Sequence, residues 1–147
     1  MSGFDALAAY VSAATATLGL AFLGVQIRKS NSLAFLAAHN TLTERVMSID
    51  LLLFEHPDIE PFLRGNALLA NLSEHDTDRI LAVLEYVADV MENALIHRRY
   101  LGRKAIVWEP YLTYFVCNSP ALRQFIASNE EWYVEDVHAF ISRVTSP

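Results

Sequence analysis

The sequence predicts an all-α protein: an N-terminal transmembrane helix followed by a small antiparallel helical bundle. Three observations carry that expectation. Residues Ala6 to Val25, ALAAYVSAATATLGLAFLGV, hold no charged side chain and no proline. A helix of that length covers about 30 Å, close to the hydrocarbon thickness of a bilayer. From residue 32 onward, apolar side chains recur at helical spacing, and no stretch alternates apolar and polar residues as a half-buried strand does. The expected division is a membrane anchor over residues 1–29 and a cytoplasmic helical bundle over residues 30–147.

The anchor is defined by its flanks. The segment before it, MSGFD, carries no basic residue, and Arg28 and Lys29 follow it. A secretory signal has the opposite order, with basic residues ahead of a shorter apolar core. A buried helix of a soluble bundle is the other alternative, because Ala, Thr and Gly dominate the run and gain little on insertion. Length, missing charge and flanks favour the span. Basic residues beside a span favour the cytoplasmic side, so Arg28 and Lys29 place the body in the cytoplasm and the short N-terminus outside. The expected location is the inner, cytoplasmic membrane. Ala9, Ala13 and Thr17 repeat small side chains every fourth position. Such a stripe lets two helices approach closely in a membrane, although an alanine-rich helix needs no such partner to account for it.

Residues 32–55 follow as an amphipathic helix. Phe35, Leu42, Val46, Ile49 and Leu53 fall on one face, with Glu44, Arg45 and Ser48 elsewhere. Asn31-Ser32 either caps a new helix or sits inside a continuous one. His56-Pro57 ends the segment, since a residue before proline disfavours helix, and Pro57 and Pro61 bracket a turn. Residues 73–102 form the strongest helix. Ser73, Asp76 and Asp78 mark a capped acidic start. Ile80, Val83, Leu84, Val87, Met91, Ala94 and Leu95 make one face, and Glu85, Asp89 and Glu92 the opposite one. Gly102 stops it, with Arg98, Arg99 and Arg103 near its negative pole. Pro110 opens a shorter helix ending before Pro120, and residues 120–128 and 130–144 supply two more. In the last, Trp132, Tyr133, Val137, Phe140, Ile141 and Val144 share one side.

Composition excludes several function classes. The formal net charge is −6, against the basic face that phosphate backbones require. The single cysteine, Cys117, forms no internal disulfide and suits a reducing compartment. Its apolar surroundings, TYFVCNSP, predict a small buried side chain rather than a reactive thiol. The acidic row Glu85, Asp89, Glu92 reads as a solvated face rather than a metal site. A di-iron bundle needs two inward Glu-x-x-His repeats, and the sequence holds one, Glu135 to His138. His39 borders an apolar face and reads as a hydrogen-bonded boundary histidine rather than a ligand. No glycine-rich phosphate loop, nucleophile elbow or paired Cys-x-x-Cys occurs. The expectation is therefore no catalytic residue, no metal and no cofactor.

One charged cluster has two readings. An antiparallel return of residues 73–102 brings their C-terminal end back toward the membrane after an outward helix of about 36 Å. That end carries Arg98, Arg99, Arg103 and Lys104, each able to gain about 1 kcal/mol at an anionic surface. Trp108, Tyr111 and Tyr114 follow, residues that favour the membrane interface. The other reading is a helix C-terminus with dipole-matched arginines, followed by a core aromatic helix.

The segments QIRK (Gln26–Lys29), EHPDI (Glu55–Ile59), ENALIHRRYLG (Glu92–Gly102), FVCNSPALRQFI (Phe115–Ile126) and EEWY (Glu130–Tyr133) together resemble a loose group of uncharacterised bacterial single-span membrane proteins with a small cytoplasmic helical domain. The resemblance covers most of the chain and implies the same architecture, but it assigns no active-site residue. The function expected is a non-catalytic, membrane-anchored accessory subunit or protein-interaction module, with a membrane-protein partner or a second copy of itself. The alternative is a membrane-tethered sensor or effector whose bundle binds a small ligand or anionic lipid.

Overall fold

The computed structural model describes residues 3–101 and 108–146. Every regular element among them is helical. In order they are α1 (Gly3–Glu55), α2 (Glu60–Arg64), a 3-10 turn (Leu69–Asn71), α3 (Glu74–Leu101), α4 (Glu109–Asn118), α5 (Pro120–Ser128), a second 3-10 turn (Glu130–Trp132) and α6 (Glu135–Thr145). The chain divides into two compact units, Met1–His39 and Asn40–Pro147. Asn31-Ser32 does not interrupt α1, which runs on to Glu55.

Within the first unit α1 has no buried face. Every residue from Leu7 to Ala34 is exposed, including Leu18 at 71%, Leu20 at 71% and Phe22 at 63%. A surface helix of a soluble protein carries its apolar residues as a stripe; here they surround the axis. The Thr15 hydroxyl donates to the Val11 carbonyl at 2.9 Å, and the Thr17 hydroxyl to the Ala13 carbonyl at 2.8 Å. Both are thereby satisfied within the helix, needing neither water nor another chain. This helix is long and apolar enough to cross a membrane, and its most apolar window is 0% buried.

The second unit has an ordinary core. The C-terminal turns of α1 contribute Leu42, Val46, Ile49 and Leu53, four of the five residues the sequence put on one face; the fifth, Phe35, is half-buried and lies in the first unit, outside this core. α3 supplies Ile80, Leu84, Val87 and Met91, and α4, α5 and α6 add Phe115, Leu122, Phe125, Val137 and Phe140. α3 packs on α5 and α6, while α4 packs on α2, α5 and α6. The start of α3 is capped as expected: the Asp76 N–H donates to Ser73 Oγ at 3.2 Å, and the Ser73 hydroxyl donates to Asp76 Oδ2 at 2.6 Å. α4 and α5 both begin at a proline in the first turn, where its missing N–H costs nothing. Ser119 joins them. Its side chain is fully buried, accepts the Leu122 N–H at 2.9 Å and donates to the Phe62 carbonyl at 2.5 Å.

Two local features differ from the sequence-based expectation. The Pro57–Pro61 turn runs into a short helix, α2, whose Leu63 is fully buried beside Ile59 at 1% exposure. A five-residue element is too short to show a hydrophobic period, so the sequence read it as a turn. The last helix starts at Glu135, not residue 130. Tyr133 there is extended (φ −117°, ψ 145°) and buried, whereas Trp132 is 56% exposed. The Val134 N–H donates to Glu92 Oε1 at 2.8 Å. That bond gives the chain a partner where a continuous helix would have supplied one.

Candidate functional site

The small-residue stripe Ala9, Ala13 and Thr17 lies exposed along one side of α1, and Arg28 and Lys29 are exposed further along the same helix. In the second unit, α1 carries a different exposed surface. Met47 (65%), Leu51 (56%) and Phe54 (84%) recur at the spacing that lines one helix face, turned away from Leu42, Val46, Ile49 and Leu53. Glu44 and Glu55 border it, as does Asp50, whose carboxylate is paired with Arg64. Exposed apolar side chains grouped on one face mark an interaction surface more often than scattered ones do.

Of the basic run, Arg98 is described: its guanidinium lies 3.5 Å from Glu109 Oε2. The backbone of Arg99 belongs to α3, while Arg103 and Lys104 lie outside the described residues. Trp108 is half-buried, directly precedes α4 and packs against the core. Its ring meets that of Tyr111 edge-on, with centroids 6.5 Å apart. Burial holds the Tyr111 hydroxyl up at about 12; Asp50 adds to the shift and Arg64 opposes it.

A cleft of about 440 Å³ opens between α3 and α6, lined by Leu95, Arg98, Asp136, Ala139, Phe140 and Arg143. Arg143 reaches Glu109 Oε1 at 2.7 Å, so one carboxylate stands between two guanidinium groups from different helices. The Arg143 guanidinium also lies 5.3 Å from the centroid of the Phe140 ring, within cation–π range. Sequence reasoning singled out Arg98 but missed Glu109 and Arg143. The available signal was that Asp136, Ala139, Phe140 and Arg143 share one face of a helix; that α3 sits opposite is a tertiary fact with no local trace.

The acidic row on α3 is divided. Glu85 and Asp89 are exposed, while Glu92 is half-buried and holds the start of α6. The Asp89 carboxyl is raised above its usual range, by burial first and then by Glu85 and Glu92, with Arg45 opposing. The nearby Tyr133 hydroxyl is pushed up to about 12 by burial, then by Asp89, Glu85 and Glu92. Among the described residues, no group of three or more His, Cys, Asp or Glu side chains is placed to hold a metal ion. His39 stacks on Phe35, with ring centroids 6.3 Å apart. His97 Nδ1 lies 2.7 Å from the Asn93 carbonyl, and His138 Nε2 lies 3.1 Å from the Glu130 carbonyl.

Cys117 corrects the sequence reading: it is exposed, with its Sγ 3.6 Å from the Val144 carbonyl oxygen. On α4 the inward positions belong to Leu112, Phe115 and Val116, and the apolar neighbours that suggested burial occupy the opposite side of the helix. No family model, curated protein or solved structure matches the chain.

Proposed function

We propose that this is a membrane-anchored accessory or interaction protein. α1 crosses the inner membrane once with its N-terminus outside, and residues 40–147 form a cytoplasmic antiparallel bundle that contacts a membrane-protein partner. The observation that carries this reading is the stretch of α1 over residues 7–25, apolar on every side and unburied. In water such a surface has no stable environment; lipid or a packed partner provides one. The hydroxyls of Thr15 and Thr17, turned onto their own backbone, are compatible with hydrocarbon. Arg28 and Lys29 then stand at the cytoplasmic headgroups, and Ala9, Ala13 and Thr17 offer a seam for a second span. The exposed Met47, Leu51 and Phe54 give the cytoplasmic part a surface for the partner subunit.

Co-purification from native membranes tests both halves. The chain stays in the membrane through alkaline carbonate extraction, reporter fusions place its C-terminus inside, and cross-linking recovers a defined membrane partner. Leu51→Asp with Phe54→Asp abolishes that recovery while leaving the melting temperature of the protein within a few degrees of the parent, because exposed substitutions cost about 0.5 kcal/mol or less. Release of the chain by carbonate overturns the anchor; undiminished recovery with the double variant overturns the surface.

A further inference from the structure

We propose that the cleft between α3 and α6 binds an anionic amphiphile, with a carboxylate or phosphate headgroup on a short alkyl chain. The headgroup sits against Arg98 and Arg143, and the chain lies along Leu95, Ala139 and Phe140. This site is separate from the Met47–Leu51–Phe54 surface and does not depend on whether α1 spans a membrane.

The cleft has the volume of a small-ligand site, about 440 Å³, within the range of roughly 300–1,000 Å³ typical of such pockets. Its chemistry is split lengthwise. Leu95 and Phe140 are core residues, 6% and 3% exposed, and their edges form an apolar floor. Arg143 lies one helical turn beyond Phe140 on the same face, and Arg98 one turn beyond Leu95 on the facing helix, so both guanidinium groups gather at one end. A guanidinium has five N–H donors in a rigid fork suited to carboxylates and phosphates. Glu109 offers its two oxygens to both, one at 2.7 Å and the other at a loose 3.5 Å. Among the described residues that end holds two guanidinium groups and one carboxylate; the cleft's other carboxylate, Asp136, lies one helical turn before Phe140, at the far end from Arg143. A second anion completes the balance, either beside Glu109 or in place of its contact with Arg98. Cation–π stacking of Arg143 on Phe140 joins the polar end to the apolar floor, so headgroup and chain are recognised together.

Equilibrium dialysis of the full chain in a non-ionic detergent tests the site, with radiolabelled octanoate and octyl phosphate as probes and octanol, acetate and inorganic phosphate as controls. Saturable binding of the two amphiphiles is expected, with little uptake of acetate or phosphate and no saturable uptake of octanol. Arg98→Gln with Arg143→Gln weakens amphiphile binding at least tenfold while circular dichroism keeps the parental helix content. If the double variant loses helix, Arg143→Lys replaces it: the charge stays but the fork is lost, and octyl phosphate binding falls several-fold. Binding that is unchanged in these folded variants overturns the proposal. So does equal binding of inorganic phosphate and octyl phosphate, or no saturable binding of either amphiphile. In nanodiscs, displacement of octanoate by phosphatidylglycerol but not by phosphatidylcholine identifies a bilayer headgroup as the source of the ligand. Retention in both identifies a free amphiphile, and either result keeps the site.

Discussion

Ser119 shows how much one side chain can hold. It caps α5 through the Leu122 N–H and ties the Phe62 carbonyl of α2, with no exposure to water. Ser119→Ala removes the cap and leaves a buried carbonyl without that donor, a cost of about 1–3 kcal/mol that urea denaturation will read as a lower midpoint at unchanged slope. Asp89 works in the other direction. Its folded-state pKa is raised, from a reference of 3.8, so ionisation is less favourable in the fold than in the open chain. As pH rises through that interval, the unfolded state loses its proton first and stability falls. Asp89→Asn should therefore be more stable than the parent at neutral pH. The difference should disappear below about pH 3.8 in paired thermal melts. Neither role was open to sequence reasoning. Ser119 stands just before the helix read at residues 120–128, but its bond to Phe62 crosses 57 residues. Asp89 showed as part of a polar row, and that its exposed carboxylate is still partly desolvated depends on packing.

At the scale of elements, the sequence was most legible where a helix has both a long period and a cap. α3 is the clearest example, with Ser73 and Asp76 closing its start as expected. The buried face of α1 at Leu42, Val46, Ile49 and Leu53 was equally plain. The start of α6 was misplaced because EEWY contains no breaker; the helix is stopped by Tyr133 entering the core and by Glu92 taking the Val134 N–H. Glu92→Ala should leave that N–H to solvent and fray the first turn of α6, costing about 1 kcal/mol. A thermal melt, with amide exchange at residues 134–138, measures it; unchanged protection there would show that the carboxylate is not what holds the turn. The cleft was half legible. Arg98 belonged to a conspicuous basic run, whereas nothing local singles out Arg143 and Glu109, whose meeting depends on how α3, α4 and α6 pack.

At the scale of the molecule, the two units differ in how they meet solvent. The second buries most of its apolar residues in one connected core, and the first exposes nearly all of its own. A chain of residues 40–147 should accordingly stay monomeric in buffer without detergent, with a cooperative melt. The full chain should elute as a single species by size exclusion only in detergent or lipid. Aggregation of the shorter chain would show that its exposed Met47, Leu51 and Phe54 need the rest of the protein. The composition made the contrast visible early, since 15 of the 20 residues in the Ala6–Val25 run are hydrophobic against 53% for the whole chain. The short helix α2 has a consequence of its own. Five residues nucleate poorly in isolation, so α2 exists because Ile59 and Leu63 are buried, Arg64 is paired with Asp50, and Ser119 holds Phe62. Gly65 completes the packing: a Cβ there would sit 2.8 Å from the Pro61 carbonyl oxygen. A segment held chiefly from outside opens as a unit once its tethers let go. Residues 59–65 should exchange their amide protons well before α3 does, making this the first door through which water and proteases enter the core.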